Sequence, residues 1–130
     1  VLRADLAEIR IGKRTNIQDN VSVHLSKELG VHVGDCVTVG HNAILHACTI
    51  EDWVLVGMGA IVMDGARIRK NSVVAAGALV PQNKEYPEGS LIVGAPARVA
   101  RSLTEDEIRK FREGVEHYIE IKDQLLKAQR

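Results

Sequence analysis

The chain has 130 residues, 45% of them hydrophobic and 26% charged, a balance that fills one packed core and excludes a disordered chain. Its 17 basic and 17 acidic side chains cancel, so no basic surface marks nucleic acid or an anionic membrane as a partner. No apolar run approaches the roughly 18 residues of a membrane-spanning helix, and no charged-then-apolar leader opens the chain.

The first residues already read as strand with no initiating methionine, so a further N-terminal piece is expected before Val1. From there an internal repeat dominates. Aliphatic residues fall at Ile11, Ile17 and Val23, at Val33, Val39 and Leu45, and from Ile50 through Val56, Val62, Ile68 and Val74 to Val80, six apart within each set. Small residues such as Ala43, Ala60 and Ala78 come four positions later, and glycine often follows directly, as at Gly12, Gly34, Gly40 and Gly57. Neither an amphipathic helix nor a hairpin sustains a period of six. The period predicts a mainly β fold over residues 1–101, a parallel β-helix with one short strand and one corner per hexad. Three hexads close a triangular coil, so residues about eighteen apart stack at roughly 4.8 Å. The aromatic content of 3% suits so narrow a core.

Between Val23 and Val33 the step is ten, one hexad plus a four-residue insertion, which places "LSKELG" at residues 25–30 on a loop. After the last regular hexad, "PQNKEYPEGSLIVGAPARVA" reads as a proline-punctuated crossing segment. Residues 102–130 predict one long helix packed on the β-helix: "TEDE" from Thr104 to Glu107 forms a capping box. Ile108, Phe111, Val115, Tyr118, Ile119 and Leu125 or Leu126 then make an apolar stripe.

The coil arithmetic places the histidines. His24 and His46 are twenty-two apart, one coil of eighteen plus the four inserted residues, and each follows an inward residue, so they stack on the outer surface. His41 lies in the preceding hexad, near another corner. A third imidazole from a neighbouring subunit of a cyclic assembly would complete a three-histidine site with an open position, the arrangement of catalytic zinc. Surface histidines on solvated turns are the other reading of the same spacing.

The stretches "RAD" (Arg3–Asp5), "TNIQDNVSVH" (Thr15–His24) and "GHNAILH" (Gly40–His46), set in hexapeptide repeats before a C-terminal helix, resemble gamma-class carbonic anhydrases and their ferripyochelin-binding-protein-like homologues. The resemblance covers almost the whole chain. It implies a left-handed β-helix, preceded by N-terminal coils, in a homotrimer. It also implies Zn2+, or Fe2+ or Co2+, bound between subunits by His24, His41 and His46, and reversible hydration of carbon dioxide to bicarbonate by a metal-bound hydroxide. By the same resemblance Gln18 orients that hydroxide, Tyr118 lies near the pocket, and Arg3, Asp5 and Asp19 form interface ion pairs. Asn16 reads instead as a turn residue tolerating left-handed backbone.

Two departures bear on rate. The acidic residue that follows the "RAD" aspartate in the prototype is Leu6 here, and the acidic loop carrying the proton shuttle is reduced to "LSKELG", with Glu28 its sole carboxylate. Slow turnover limited by proton transfer is expected. His32 and His117 fall outside the matched stretches and read as surface residues. Cys36 and Cys48 belong to different faces and form neither a disulfide framework nor a CxxC site, which favours a reducing compartment, the cytoplasm. Other readings of the repeats are an acyltransferase or thioesterase acting on coenzyme A thioesters, and a non-catalytic metal-bearing trimer.

Overall fold

Residues six apart point inward because each hexad contributes one short strand and one corner. The computed structural model describes residues 1–129. After β1 (Leu2–Arg3) come β2 (Ile9–Ile11), β3 (Asn16–Ile17) and β4 (Ser22–His24) in one coil, then β5 (Val31–Val33), β6 (Thr38–Val39) and β7 (Ile44–His46) in the next. Two further coils follow: β8 (Thr49–Ile50), β9 (Leu55–Val56) and β10 (Ile61–Val62), then β11 (Arg67–Ile68), β12 (Val73–Val74) and β13 (Leu79–Val80). The chain closes with β14 (Ser90–Gly94), β15 (Ala97–Ser102) and helix α1 (Glu105–Ala128). Corresponding strands pair in parallel to give three sheets: β1-β4-β7-β10-β13, β2-β5-β8-β11, and β3-β6-β9-β12-β14 with β15 at its edge.

The register accounts for the two breaks in the repeat. Ser22 pairs with Ile44 across the Leu25–Gly30 loop, Ile44 pairs with Ile61 across the five-residue step from Leu45 to Ile50, and Ile61 pairs with Leu79 once the period is regular. The interior is a column of aliphatic side chains: Val23, Leu45, Val62 and Val80 from the first sheet are at most 1% exposed.

Most corners turn on a residue with left-handed backbone three positions after the inward one, filled by asparagine at Asn20, Asn42, Asn71 and Asn83, the side chain that tolerates this conformation best after glycine. This corrects the expectation for Asn16, which lies in strand β3; the left-handed residue of that stretch is Asn20, at φ 62°. Gly40 meets a different demand: a Cβ there would lie 2.7 Å from the backbone nitrogen of Met58 on the next coil.

The stretch expected to be a crossing segment continues the solenoid. Tyr86 and Ile92 extend the six-residue spacing beyond Val80 and are 8% and 0% exposed, and the Tyr86 hydroxyl donates to the Ala97 carbonyl at 3.0 Å. Only after β14 does the chain reverse, into antiparallel β15.

The capping box of α1 is present, with Thr104 as N-cap and Glu107 reaching back to its backbone. Arg112 anchors the helix to the prism, its guanidinium 4.6 Å above the Trp53 ring and its Nη2 donating to Asn71 Oδ1 at 2.6 Å. The apolar stripe outruns the surface it covers. Val115 is buried, whereas Tyr118 and Leu125 are 54% and 60% exposed. A helix of 24 residues is about 36 Å long, against roughly 24 Å for five coils.

Glu107 supports a pH prediction. Its carboxylate accepts both Arg101 Nη1 and Nη2, at 2.7 and 2.9 Å. That contact, followed by the Thr104 backbone hydrogen bond, holds it down from 4.5 to about 2. A carboxyl depressed on folding contributes stability above its unfolded value and loses it as pH falls through the folded value. The stability difference between wild type and Glu107→Gln should therefore be full at pH 6 and shrink between pH about 4.5 and about 2, followed by far-ultraviolet circular dichroism during denaturation. A difference unchanged with pH would contradict the assignment.

Candidate metal centre

His24 ends β4 and His46 ends β7, and the two are paired in register. Each sits one position after an inward residue, so both side chains emerge from the outer surface, stacked one coil apart. Their ring centroids are 5.2 Å apart and tilted by 58°. His24 Nδ1 faces His46 Nε2 at 3.2 Å. The remaining nitrogens meet carboxylates: His24 Nε2 lies 3.1 Å from Asp5 Oδ1, and His46 Nδ1 lies 2.5 Å from Asp64 Oδ1.

This arrangement fixes the chemistry of the pair. An ionised carboxylate only accepts, so each outer nitrogen carries a proton and the facing nitrogens of the two rings are left to hold a shared proton or a cation. Two bare nitrogens facing at 3.2 Å repel, so the pair is held either by a proton shared between the rings or by a cation beside both. Two nitrogens bound at about 2.05 Å to a tetrahedral zinc ion stand roughly 3.3–3.4 Å apart, so the donor pair fits such an ion. Desolvation acts to raise the Asp5 carboxyl, but its hydrogen bonds to His24 and to its own backbone, with the Arg3 charge, draw it below its ordinary value.

Arg3 stands in register below His24 and its Nη1 is 3.7 Å from Asp5 Oδ2, so "RAD" and the histidine pair form one cluster. The exposed Glu28 lies on the loop that leaves directly after His24. The other expected residues lie elsewhere. His41 is exposed at the corner before β7, with the length of that strand between it and His46. Among the described residues no three metal-binding side chains of one chain come together. Asp19 occupies the same corner as His41, its carbonyl accepting the Asn42 N–H. Gln18 lies beneath Gly40 and, with Asn16, Thr38, Phe111 and Tyr118, lines a cleft between the β-helix and α1, so Gln18 and Tyr118 share one site. The sequence reading missed Asp64, which lies one residue past Met63, the position stacked over His46 by the seventeen-residue offset of β7 and β10. His32 contacts Glu8 at 3.2 Å on the outer surface. Both cysteines are free, and burial pushes the Cys48 thiol up to about 12.

The three outer faces differ. Asn16, Thr38 and Leu55 on the β3 sheet lie under α1. The β2 sheet presents Arg10, His32, Thr49 and Arg67 to solvent. The β1 sheet, beside the histidine row, presents Ile44, Ile61 and Leu79 in one row, with Ile44 39% exposed and Met58, at the corner near His41, 62% exposed.

Fold and site together define a hexapeptide-repeat β-helix carrying a stacked imidazole pair on an outer edge. Residues 48–81 match the family described as hexapeptide repeat of succinyl-transferase. The chain is 47% identical over 125 residues to a Methanocaldococcus jannaschii protein named "Probable carbonic anhydrase", covering 96% of this chain and 79% of that one. It is 45% identical over 127 residues to the mitochondrial gamma carbonic anhydrase 2 of Arabidopsis thaliana, covering 93% of this chain. It spans only 46% of that plant relative, about half its length. A solved hexapeptide transferase family protein from Anaplasma phagocytophilum superposes with a TM-score of 0.87 at 42% identity, over 95% of this chain and 72% of its own. The chain belongs to the gamma-class carbonic anhydrase-like family of hexapeptide-repeat proteins.

Proposed function

We propose that the protein interconverts carbon dioxide and bicarbonate at a metal ion held between subunits of a homotrimer. The observation that carries this reading is the pair of facing ring nitrogens on His24 and His46, 3.2 Å apart, with each ring backed by a carboxylate. The ion is zinc, with iron or cobalt as alternatives, and His41 of the next subunit supplies the third ligand. Of the three faces, one is covered by α1, one is polar, and the aliphatic one is bounded by His41 at one end of β7 and His46 at the other. Packing three copies of that face about an axis brings His41 of each to the pair of its neighbour. Bound zinc lowers the pKa of a coordinated water toward about 7. His24 and His46 bind through one nitrogen while Asp5 and Asp64 hold the proton on the other. Gln18, on the same edge as His41, offers an amide to orient the reacting water, and Tyr118 closes the cleft behind it. Arg3, Asp5 and Asp19 fix the register of neighbouring prisms by ion pairing.

Glu28 is the carboxylate available to pass a proton to buffer, and Leu6, 64% exposed, offers none. Carbon dioxide hydration by zinc-loaded protein is therefore expected to be slow in dilute buffer. Added imidazole should raise kcat several-fold while leaving kcat/KM nearly unchanged, because proton transfer falls after the steps that kcat/KM reports. The transferase neighbour keeps a second class in play. Zinc-loaded trimer inactive at every buffer concentration, together with binding of coenzyme A, would assign the chain to acyl transfer.

A further inference from the structure

We propose that Asp64 is a positioning residue of the metal centre: by accepting the Nδ1 proton of His46 it fixes the ring's tautomer and aims Nε2 at the ion. The inference rests on the proposed metal-binding role of His24 and His46 and adds a residue that no motif identified. The contact of 2.5 Å is the shortest in the cluster, against 3.1 Å for Asp5 on His24. Asp64 comes two residues after the end of β10, on the coil stacked over β7, and its side chain is 30% exposed, whereas Asp5 is 44% exposed on the irregular stretch after β1. Its backbone is held as well, since the Asp64 carbonyl accepts the Asn83 N–H at 2.9 Å. A free imidazole prefers its proton on Nε2, the nitrogen that must be bare here. A carboxylate on Nδ1 reverses that preference and raises the basicity of the opposite nitrogen.

The test uses full-length chain with zinc as the probe. Affinity is measured by competition with a chelator for wild type, Asp64→Ala, Asp64→Asn and Asp64→Glu, and nitrogen NMR of the metal-free protein reports the His46 tautomer. Asp64→Ala should bind zinc about 10 to 100-fold more weakly and shift His46 toward the Nε2–H form. Asp64→Asn should fall between, and Asp64→Glu should restore part of the affinity. Should Asp64→Ala misfold, the asparagine and glutamate variants give the same ordering. Wild type that binds zinc while every variant binds within twofold of it, or a wild-type His46 already protonated on Nε2, overturns the proposal. Wild type that binds no zinc overturns the metal reading itself, a distinct result.

Discussion

Replacing any one of His24, His41 or His46 with alanine is expected to strip zinc to less than about a tenth of the wild-type content, because a three-ligand site has no spare donor. The informative step is to combine two such proteins. If a site takes His24 and His46 from one chain and His41 from the next, His24→Ala and His41→Ala chains complement each other. Random exchange at equal concentrations then leaves about one site in four intact, since each needs a His41→Ala chain followed in the correct sense by a His24→Ala chain. Mixing His24→Ala with His46→Ala restores nothing, because both lesions fall in the same half-site. Metal analysis after verified subunit exchange reads both results. Equal recovery from the two mixtures, or none from either, contradicts a site split in this way.

The second large effect is expected at a residue that touches no metal. Ile44 faces outward beside the histidine row and is 39% exposed in the isolated chain, so Ile44→Glu leaves the aliphatic column and the α1 contact untouched. In the proposed trimer the same carboxylate is buried against a neighbour without a partner, at roughly 3–5 kcal/mol per copy. The variant should sediment as a monomer, retain its circular dichroism, and lose bound zinc with all three histidines in place. Ile44→Val should remain trimeric and loaded. An Ile44→Glu protein that keeps both its assembly and its metal would remove the aliphatic face from the account.

The parts of the fold visible in the sequence are those with one aliphatic side chain per period. Val33, Val39 and Leu45 announce the interior because each fills a layer of a column too narrow for variation. The same arithmetic, corrected for the loop at residues 25–30, places His24 beside His46. The end of the solenoid was hidden because an aromatic side chain, Tyr86, takes an interior position amid prolines that ordinarily break strands. Asn16 was misread because the repeat identifies a hexad without specifying which polar position turns the corner. The backbone places that role at Asn20. The helix stripe looked like continuous packing since periodicity reports which face is apolar and not how far the partner extends.

At the candidate site the histidines stand in recognisable stretches, whereas Asp64 does not. Its contact with His46 depends on one full coil of chain, and the seventeen-residue offset between β7 and β10 sets it one place past the stacking position. The outward row of Ile44, Ile61 and Leu79 was obscured for a related reason. Each lies next to an inward aliphatic residue, and a period of six marks the inward residue without singling out its neighbour. In the proposed trimer that row is the face that meets another copy.

Native mass spectrometry of the zinc-loaded protein tests the central claim most directly, because it counts chains and ions in one particle. The account predicts a particle of three chains carrying three zinc ions, with the ions released when the chains separate. A folded monomer that retains its zinc would contradict it.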